Sequence, residues 1–248
     1  HGVTITPAAP HAVTVPGAVA AWDLLVREHG TRSLGELLQP AIRYAEDGFV
    51  VQQRVGWDWL RGAERVAADP HAAETYLPGG KPPAIGSVVR LPKLAATLRK
   101  IAEHGARAFY TGPVAEDMVS RLNALGGLHT LDDFAAARPD VVVPVSTRYR
   151  GYDVYECPPA GQGLAALMML NVLSHYDVGA LSDLDRLHLF AEVCKQGYHH
   201  RDVLFGDAAL ANVPIEHLLS DAWKAAAHGA IDMGRAREPV IYPEIKQE

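Results

Sequence analysis

The stretch from Tyr149 to Leu173 holds the pattern most able to support chemistry. A short strand pattern, Tyr152–Glu156, runs into two prolines, and Gly161 and Gly163 then precede an apolar helical run. Proline fixes the backbone and glycine carries no side chain, so this turn presents bare backbone to whatever approaches it. The sequence therefore predicts a close-approach site at this strand-to-helix turn.

The same turn matches G-x-G-x-x-A, a pattern typical of dinucleotide-binding sites, from Gly161 to Ala166. Two features argue against a nucleotide. Pro158 and Pro159 separate the strand from the first glycine, whereas that fingerprint runs straight from strand into turn, and no second strand with an acidic residue follows. Helix packing or close approach to a partner chain is therefore favoured, and no organic cofactor is expected.

A second polar pattern lies near one face of a predicted helix and comprises His188, Glu192, His199 and Asp202. Such a set could bind a metal ion. The set lacks the closely spaced histidine pair of the zinc proteases, and three turns of helix is a long reach for one ion. We therefore expect no metal and interpret the set as a polar helix face, with Glu192 and Lys195 in solvent.

Signals for a nucleophile are absent from this sequence, which has neither a G-x-S-x-G elbow nor an S-x-x-K pair. The two cysteines, Cys157 and Cys194, make no disulfide framework and have no C-x-x-C spacing. A small buried hydrophobic role is the default interpretation of Cys157. The residues alone thus identify no catalytic group.

Helical periodicity dominates the chain. Ser33 and Glu36 form an S-x-x-E capping box, and Pro40 predicts a kink or a late start of the helix that follows. Thr130 and Asp133 predict the N-cap of a short helix. Further helices are predicted near residues 19–30, 51–68, 92–105, 113–126, 161–175, 183–204 and 214–227.

Strands are few in the prediction. Residues 69–90 are rich in proline and glycine and are predicted to be a loop. Strands are predicted at Val141–Val145 and Tyr152–Tyr155, with Arg150 and Gly151 forming the turn of a hairpin. Because an isolated hairpin is only marginally stable in water, we expect these strands to join a sheet completed by sequence that is not in this chain.

Composition narrows the class of protein. The chain has 248 residues, a net charge of -6 and 48% hydrophobic residues, which is ordinary for a globular protein. No cluster of lysine and arginine points to nucleic acid, and the longest apolar run, Leu164–Leu170, is too short to span a bilayer. His1 is not an initiator methionine, so we expect the chain to begin within a longer sequence, and a cytoplasmic or a periplasmic location remains open.

Five stretches, in order, resemble the large subunit of the γ-glutamyltranspeptidase family. They are VTVPGAVAAWDLLVREHG (13–30), SLGELLQPAIRYAEDGFVV (33–51), FYTGPVAEDMVSRLNALGGLHTLDDFAA (109–136), RYRGYDVYECPPAGQGLAALMMLNVL (148–173) and HLFAEVCKQGYHHRDVLFGDA (188–208). The resemblance covers most of residues 13–222. It implies that residues 1–248 are a single-domain fragment of that subunit.

The resemblance implies an α+β fold, the four-layer αββα sandwich of the N-terminal-nucleophile hydrolases, with this chain as its mostly helical part. In that family a precursor cuts itself, and a small subunit then begins with the catalytic threonine, whose own α-amine acts as base. The last threonine here is Thr147, so no catalytic residue is carried over to this chain. The implied partners are that small subunit and a small-molecule amide.

The turn here has the sequence PPAGQG, whereas glutathione-cleaving members have the form PPxSSGG. It is more similar to relatives of the acylase and amidohydrolase type, and Gly161, Gln162 and Gly163 are the predicted substrate-binding residues. The Gln162 amide could hydrogen-bond a carboxamide, or it could support the turn. Three functions stay open at this point: a γ-glutamyl transferase or hydrolase, an amidohydrolase acting on oxamate or a cephalosporin side chain, and a non-catalytic helical module that binds a protein.

Overall fold

The computed structural model describes residue 5 and residues 9–207 and 209–238. The chain divides into two compact units, His1–Asp140 (unit 1) and Val141–Glu248 (unit 2). This division does not test the single-domain prediction, which stays a prediction.

Helices form most of the described part of each unit. The α-helices of unit 1 are α1 Ala18–His29, α2 Leu34–Asp47, α3 Gln53–Ala67, α4 Pro70–Tyr76, α5 Pro92–His104, α6 Arg107–Tyr110, α7 Pro113–Ala124 and α8 Leu131–Ala135. Those of unit 2 are α9 Gly163–Leu173, α10 Asp183–Leu204, α11 Ile215–Leu218 and α12 Asp221–Gly229. The strands are β1 Phe49–Val50, β2 Val88–Val89, β3 Val145–Tyr149 and β4 Tyr152–Glu156.

The core of unit 1 lies where α2 packs along α5, with Ile42, Ile101 and Phe134 among its buried residues. The predicted capping box at the start of α2 is confirmed, because Ser33 and the third helical residue exchange hydrogen bonds of 2.9 and 3.2 Å. The predicted late start at Pro40 is wrong, since one helix runs through that proline from Leu34 to Asp47.

Tyr110 joins two of the stretches that carry the family resemblance. Its hydroxyl accepts a hydrogen bond from the Ala20 backbone N–H at 3.0 Å and donates one to the Pro16 carbonyl at 2.6 Å. Gly17, the N-cap of α1, has no side chain that could satisfy the free N–H groups of the first turn. A buried tyrosine 90 residues away therefore supplies the missing cap of α1.

Replacing Tyr110 with phenylalanine is expected to lower the free energy of unfolding by about 1–3 kcal/mol, because it leaves the buried Ala20 N–H and the half-buried Pro16 carbonyl without this partner. Chemical denaturation would measure the loss. Tyr44→Phe is the matched control, since that side chain is exposed and its hydroxyl forms no hydrogen bond with a described residue. An equal effect of both changes would contradict the capping role.

The proline-rich and glycine-rich stretch 69–90 is more ordered than the predicted loop. Asp69 caps α4 by accepting hydrogen bonds from the backbone N–H groups of His71 and Ala72, both at 2.9 Å. Pro70 occupies the first helical position, where no N–H is needed. Val88 and Val89 pair antiparallel with β1, so the stretch contains a helix and a short strand that the sequence prediction missed.

Unit 2 begins its regular structure with the predicted hairpin, β3 and β4, which pair antiparallel from Val145↔Glu156 to Tyr149↔Tyr152. Arg150 and Gly151 have φ values of 50° and 88°, which suits a tight two-residue turn. The hairpin prediction is confirmed, but the predicted strand Val141–Val145 is not. The strand instead starts at Val145, and the three valines before it lie exposed.

Helix α9 packs against this hairpin and against α10. Its residues are apolar on nearly every face, and Ala166 is the one residue of α9 that is exposed. One polar residue interrupts that surface, since Asn171 is buried and its side-chain oxygen accepts a hydrogen bond from the Thr147 hydroxyl of β3. The last threonine of the chain is thus occupied in holding the hairpin on α9.

The final predicted helix, 214–227, is two helices in the structure. Helix α11 ends at Leu218, and α12 begins at Asp221 with Ser220 as its N-cap, whose hydroxyl accepts from the Trp223 backbone N–H at 3.1 Å. Serine competes with helical hydrogen bonding and favours N-caps, which accounts for the break.

Candidate functional site

The turn that the sequence singles out connects β4 to α9. Strand β4 ends at Glu156 and α9 begins at Gly163, with Gln162 as the N-cap residue. The Gln162 side chain does not cap the helix, although its backbone carbonyl accepts a hydrogen bond from Ala166 at 3.2 Å. The first N–H groups of α9 are therefore not capped by that side chain.

The two glycines of the turn have different environments. A Cβ atom at Gly163 would lie 2.7 Å from Cβ of Glu156 and 3.1 Å from the Cys157 carbonyl, so this glycine permits α9 to start close against β4. A Cβ atom at Gly161 would have no neighbour within 4 Å. Packing inside the described structure explains Gly163, whereas Gly161 faces open space.

Gln162 is held by a residue far along the chain. Its side-chain oxygen accepts a hydrogen bond of 2.9 Å from Nη1 of Arg201, near the end of α10. The guanidinium also donates to Asp202 at 2.7 Å and lies 4.4 Å from the centre of the Tyr198 ring. Because the oxygen is occupied, the Gln162 amide N–H groups are the part that can still hydrogen-bond a ligand.

Cys157 is exposed, so the prediction of a buried residue is wrong. Burial along β4 alternates, with Val154 and Glu156 half-buried and Tyr155 exposed. Side chains of a strand point alternately to opposite faces, so continuing the alternation by one residue turns the thiol outward.

The polar set predicted on α10 does not come together as one site. The His188 ring lies 2.9 Å from the Asp232 carbonyl, while Asp202 pairs with the neighbouring Arg201. The buried polar residues of α10 are instead Glu192, Gln196 and His200, spaced four apart along one face. Among the residues that the structure describes, no group of three or more histidine, cysteine or acidic side chains could hold a metal ion.

Glu192 is only 3% exposed, so the prediction that it is solvated is wrong. Its carboxylate accepts a hydrogen bond from the Lys195 ammonium at 2.6 Å and another from the Arg237 backbone N–H at 3.3 Å. The same ammonium donates to the Arg237 carbonyl at 3.3 Å. This buried charge therefore holds the segment after α12 against α10.

His200 is the last of these three buried polar residues on α10, and it lies in the core of unit 2. Its Nδ1 lies 2.9 Å from the Gln196 carbonyl, and its Nε2 lies 3.4 Å from the Trp223 indole nitrogen. Because the indole can only donate, this arrangement fits a neutral imidazole with its proton on Nδ1. Burial lowers the pKa of His200, and burial likewise lowers the pKa values of His175 and His199.

The stability of the protein is expected to fall as the pH drops below about 6.5, the pKa of an unfolded histidine. The lowered pKa of His200 means that the unfolded chain binds more protons there, so this contribution is complete above that pH and lost below it. His200→Gln should flatten the dependence of Tm on pH relative to that of the parent protein. An unaltered dependence in the His200 variant would contradict the assignment.

The sequence does not predict the roles of three residues of α10. Gln196 and His200 are buried polar residues, and Arg201 binds the Gln162 side chain. A signal for the first two existed, since Glu192, Gln196 and His200 stand at i, i+4 and i+8. Arg201 carried no local signal, because its contact with Gln162 spans 39 residues.

In the part of the chain that the structure describes, no helix is both long and apolar enough to cross a membrane. The family model of the gamma-glutamyltranspeptidases matches residues 3–247. The glutathione hydrolase-like YwrD proenzyme of Bacillus subtilis is 39% identical over 210 residues, covering 84% of this chain and 40% of that protein. The chain thus spans about two fifths of that relative's length.

Solved structures agree with the family match. The gamma-glutamyltranspeptidase of Helicobacter pylori superposes with a TM-score of 0.84 at 29% identity, covering 94% of this chain and 69% of that one. A cephalosporin acylase from Bacillus halodurans also superposes with a TM-score of 0.84, at 35% identity, over 92% of this chain and 44% of that one. These likenesses confirm the predicted α+β fold, of which this chain forms a mostly helical part. The chain belongs to the gamma-glutamyltranspeptidase family.

Proposed function

We propose that this chain is the large-subunit part of a self-processing hydrolase of the γ-glutamyltransferase type. The observation that carries the proposal is the family match over residues 3–247. Support comes from the names of its relatives, several of which are proenzymes. The catalytic threonine would head the small subunit of the same precursor, and no catalytic residue is assigned to this chain.

In the proposed reaction the threonine hydroxyl attacks the amide carbon and gives its proton to the α-amine of the same residue. The C–N bond then breaks, and the leaving amine takes that proton, which leaves an acyl ester on the threonine. Water or an acceptor amine attacks the ester, releases the acid or the new amide, and returns the hydrogen to the threonine oxygen. Backbone N–H groups would stabilise the oxyanion at each addition step.

We propose that Gly161, Gln162 and Gly163 form part of the surface that the substrate approaches. Gly161 contributes open space, and Gly163 places the start of α9. Gln162 contributes amide N–H donors whose direction is fixed by Arg201. A donor of this kind suits a carbonyl or carboxylate oxygen of the acyl group.

A second candidate is an amidohydrolase that acts on another small amide, such as oxamate or a cephalosporin side chain. The observation that favours it is the PPAGQG turn, in which a glutamine fixed by Arg201 stands in the middle of the motif. The similarity to a cephalosporin acylase supports the same candidate. Both candidates share the chemistry at the threonine and differ in the acyl pocket.

The first test is expression of the complete precursor, followed by intact mass spectrometry and N-terminal sequencing of both products. We expect a second polypeptide that begins with threonine and remains bound to the chain described here. Turnover of γ-glutamyl-p-nitroanilide, oxamate and a glutaryl cephalosporin would then separate the two candidates. A precursor that stays uncut and turns over none of them would favour the third possibility, a helical module that binds a protein.

A further inference from the structure

A cleft of about 580 Å³ opens in unit 1. It is bounded by α1, by α6 and by residues 135–139. Arg27, Arg107 and Arg138 all line it, so we call it the arginine cleft. Its volume falls within the range of small-molecule sites.

Three guanidinium groups and one carboxylate, that of Asp23, line the cleft, so described acidic residues only partly balance its positive charge. Arg27 is paired with Asp23 at 3.1 Å and lies 3.8 Å from the Glu28 carboxylate. The guanidinium groups of Arg107 and Arg138 form no ion pair or hydrogen bond with any residue in the described ranges. The chain has a net charge of -6, so two guanidinium groups without an ion pair to a described residue give this cleft a local positive potential, which favours an anion.

The floor of the cleft is apolar. Ala20, Ala106 and Tyr110 line it and are buried, and Leu24 stands beside them on α1. The Tyr110 hydroxyl is already engaged with the backbone at the start of α1, so it is not free to hydrogen-bond a ligand. The floor therefore offers methyl and aromatic surface but no further hydrogen-bond donor from that tyrosine.

We propose that the arginine cleft binds a small organic carboxylate with an apolar body. Arg107 and Arg138 would hold the carboxylate, since the planar guanidinium fork matches carboxylate oxygens. The apolar body would lie on Leu24 and the Tyr110 ring. The proposal is independent of the proposed function, because none of these residues belongs to the β4–α9 turn.

Phenylacetate is a suitable probe because it combines a carboxylate with a small apolar ring. Binding to the protein would be measured by calorimetric titration and by saturation-transfer NMR. We expect the paired change Arg107→Gln and Arg138→Gln to weaken binding about 10-fold or more, since charge-assisted hydrogen bonds are lost. Leu24→Asp should weaken it as well, through repulsion and loss of apolar contact.

The matched control is the paired change Arg43→Gln and Arg65→Gln, which removes the same charge from exposed positions of unit 1 outside the cleft. It should leave binding unchanged. The neutral analogue 2-phenylethanol should bind about 10-fold more weakly than phenylacetate or not at all. Equal binding in the Arg107 and Arg138 variant would overturn the site, and equal competition by inorganic phosphate would overturn the requirement for an apolar body.

Discussion

Replacing Trp223 with alanine is expected to lower the free energy of unfolding by about 3–5 kcal/mol, the usual cost of removing a large buried aromatic side chain. Trp223 is 3% exposed and belongs to the core that includes Leu164 of α9 and Leu189 of α10. The change would leave a cavity beneath the helix that begins at the candidate turn. It would also remove the indole donor that faces Nε2 of His200.

Urea denaturation of the variant and the parent protein would measure this effect. Trp57→Ala is the matched control, since that side chain is 46% exposed and contacts the Arg54 and Arg61 guanidinium groups. We expect a loss of about 1 kcal/mol there. Trp223→Phe should recover most of the packing, and its remaining deficit would report the lost hydrogen bond to His200. Equal losses at Trp223 and Trp57 would show that the core of unit 2 does not depend on this tryptophan.

The features that sequence predicted best are those whose causes lie within a few residues. Ser33 and Glu36 cap α2, and Thr130 and Asp133 cap α8, because each pair needs only its own turn of chain. The hairpin turn at Arg150–Gly151 belongs to the same class, since Gly151 readily adopts the positive φ that the turn requires, although Arg150 also takes a positive φ, which its residue type does not favour. Local chemistry of this kind can be recognised from one sequence.

The features that sequence missed depend on distant partners. The charge of Glu192 predicts a place in solvent, yet Lys195 and the Arg237 backbone satisfy its carboxylate in the interior. Likewise, nothing near Gln162 reveals that Arg201 fixes its amide. The family resemblance rests on five blocks of sequence that occur in a fixed order. Hydrophobic periodicity alone predicts only a mostly helical chain.

The prolines and glycines of residues 69–90 show a second limit of prediction from sequence, namely what residue type alone can exclude. They favoured a loop, but Pro70 stands at the first position of a helix, where proline is tolerated. Asp69 then decides the outcome, because its carboxylate caps the helix and also pairs with Arg121 of α7. Within this stretch, proline is thus a reliable signal against the interior of a helix, but it does not argue against the first position of one.

Exchanging Gly161 for alanine is expected to leave stability within about 0.5 kcal/mol of the parent protein while lowering kcat/KM of the processed enzyme about 10- to 100-fold. A Cβ atom there meets nothing in the described chain, and the backbone is not in a conformation that requires glycine. The added methyl group can therefore act only on something that approaches from outside. This expectation rests on the proposed function.

Gly163→Ala is the matched comparison, and we expect this change to lower the free energy of unfolding. Its Cβ atom would press on Glu156 and on the Cys157 carbonyl, and such overpacking costs about 1–3 kcal/mol. The comparison separates two roles that a glycine in this turn can have: close packing of α9 on β4, and space for a molecule that approaches from outside. Stability would be measured by denaturation and activity by single-substrate kinetics on the same preparations.

The decisive result is the activity of the Gly161 variant. If that protein is stable and as active as its parent, no substrate or partner approaches the turn closely, and Gly161, Gln162 and Gly163 would be a structural turn only. If it is stable and impaired, the open space at Gly161 is used by the reaction. The kinetic parameter that changes then assigns the role: a rise in KM at constant kcat indicates ground-state binding, whereas equal falls in kcat and kcat/KM indicate contact made in the transition state.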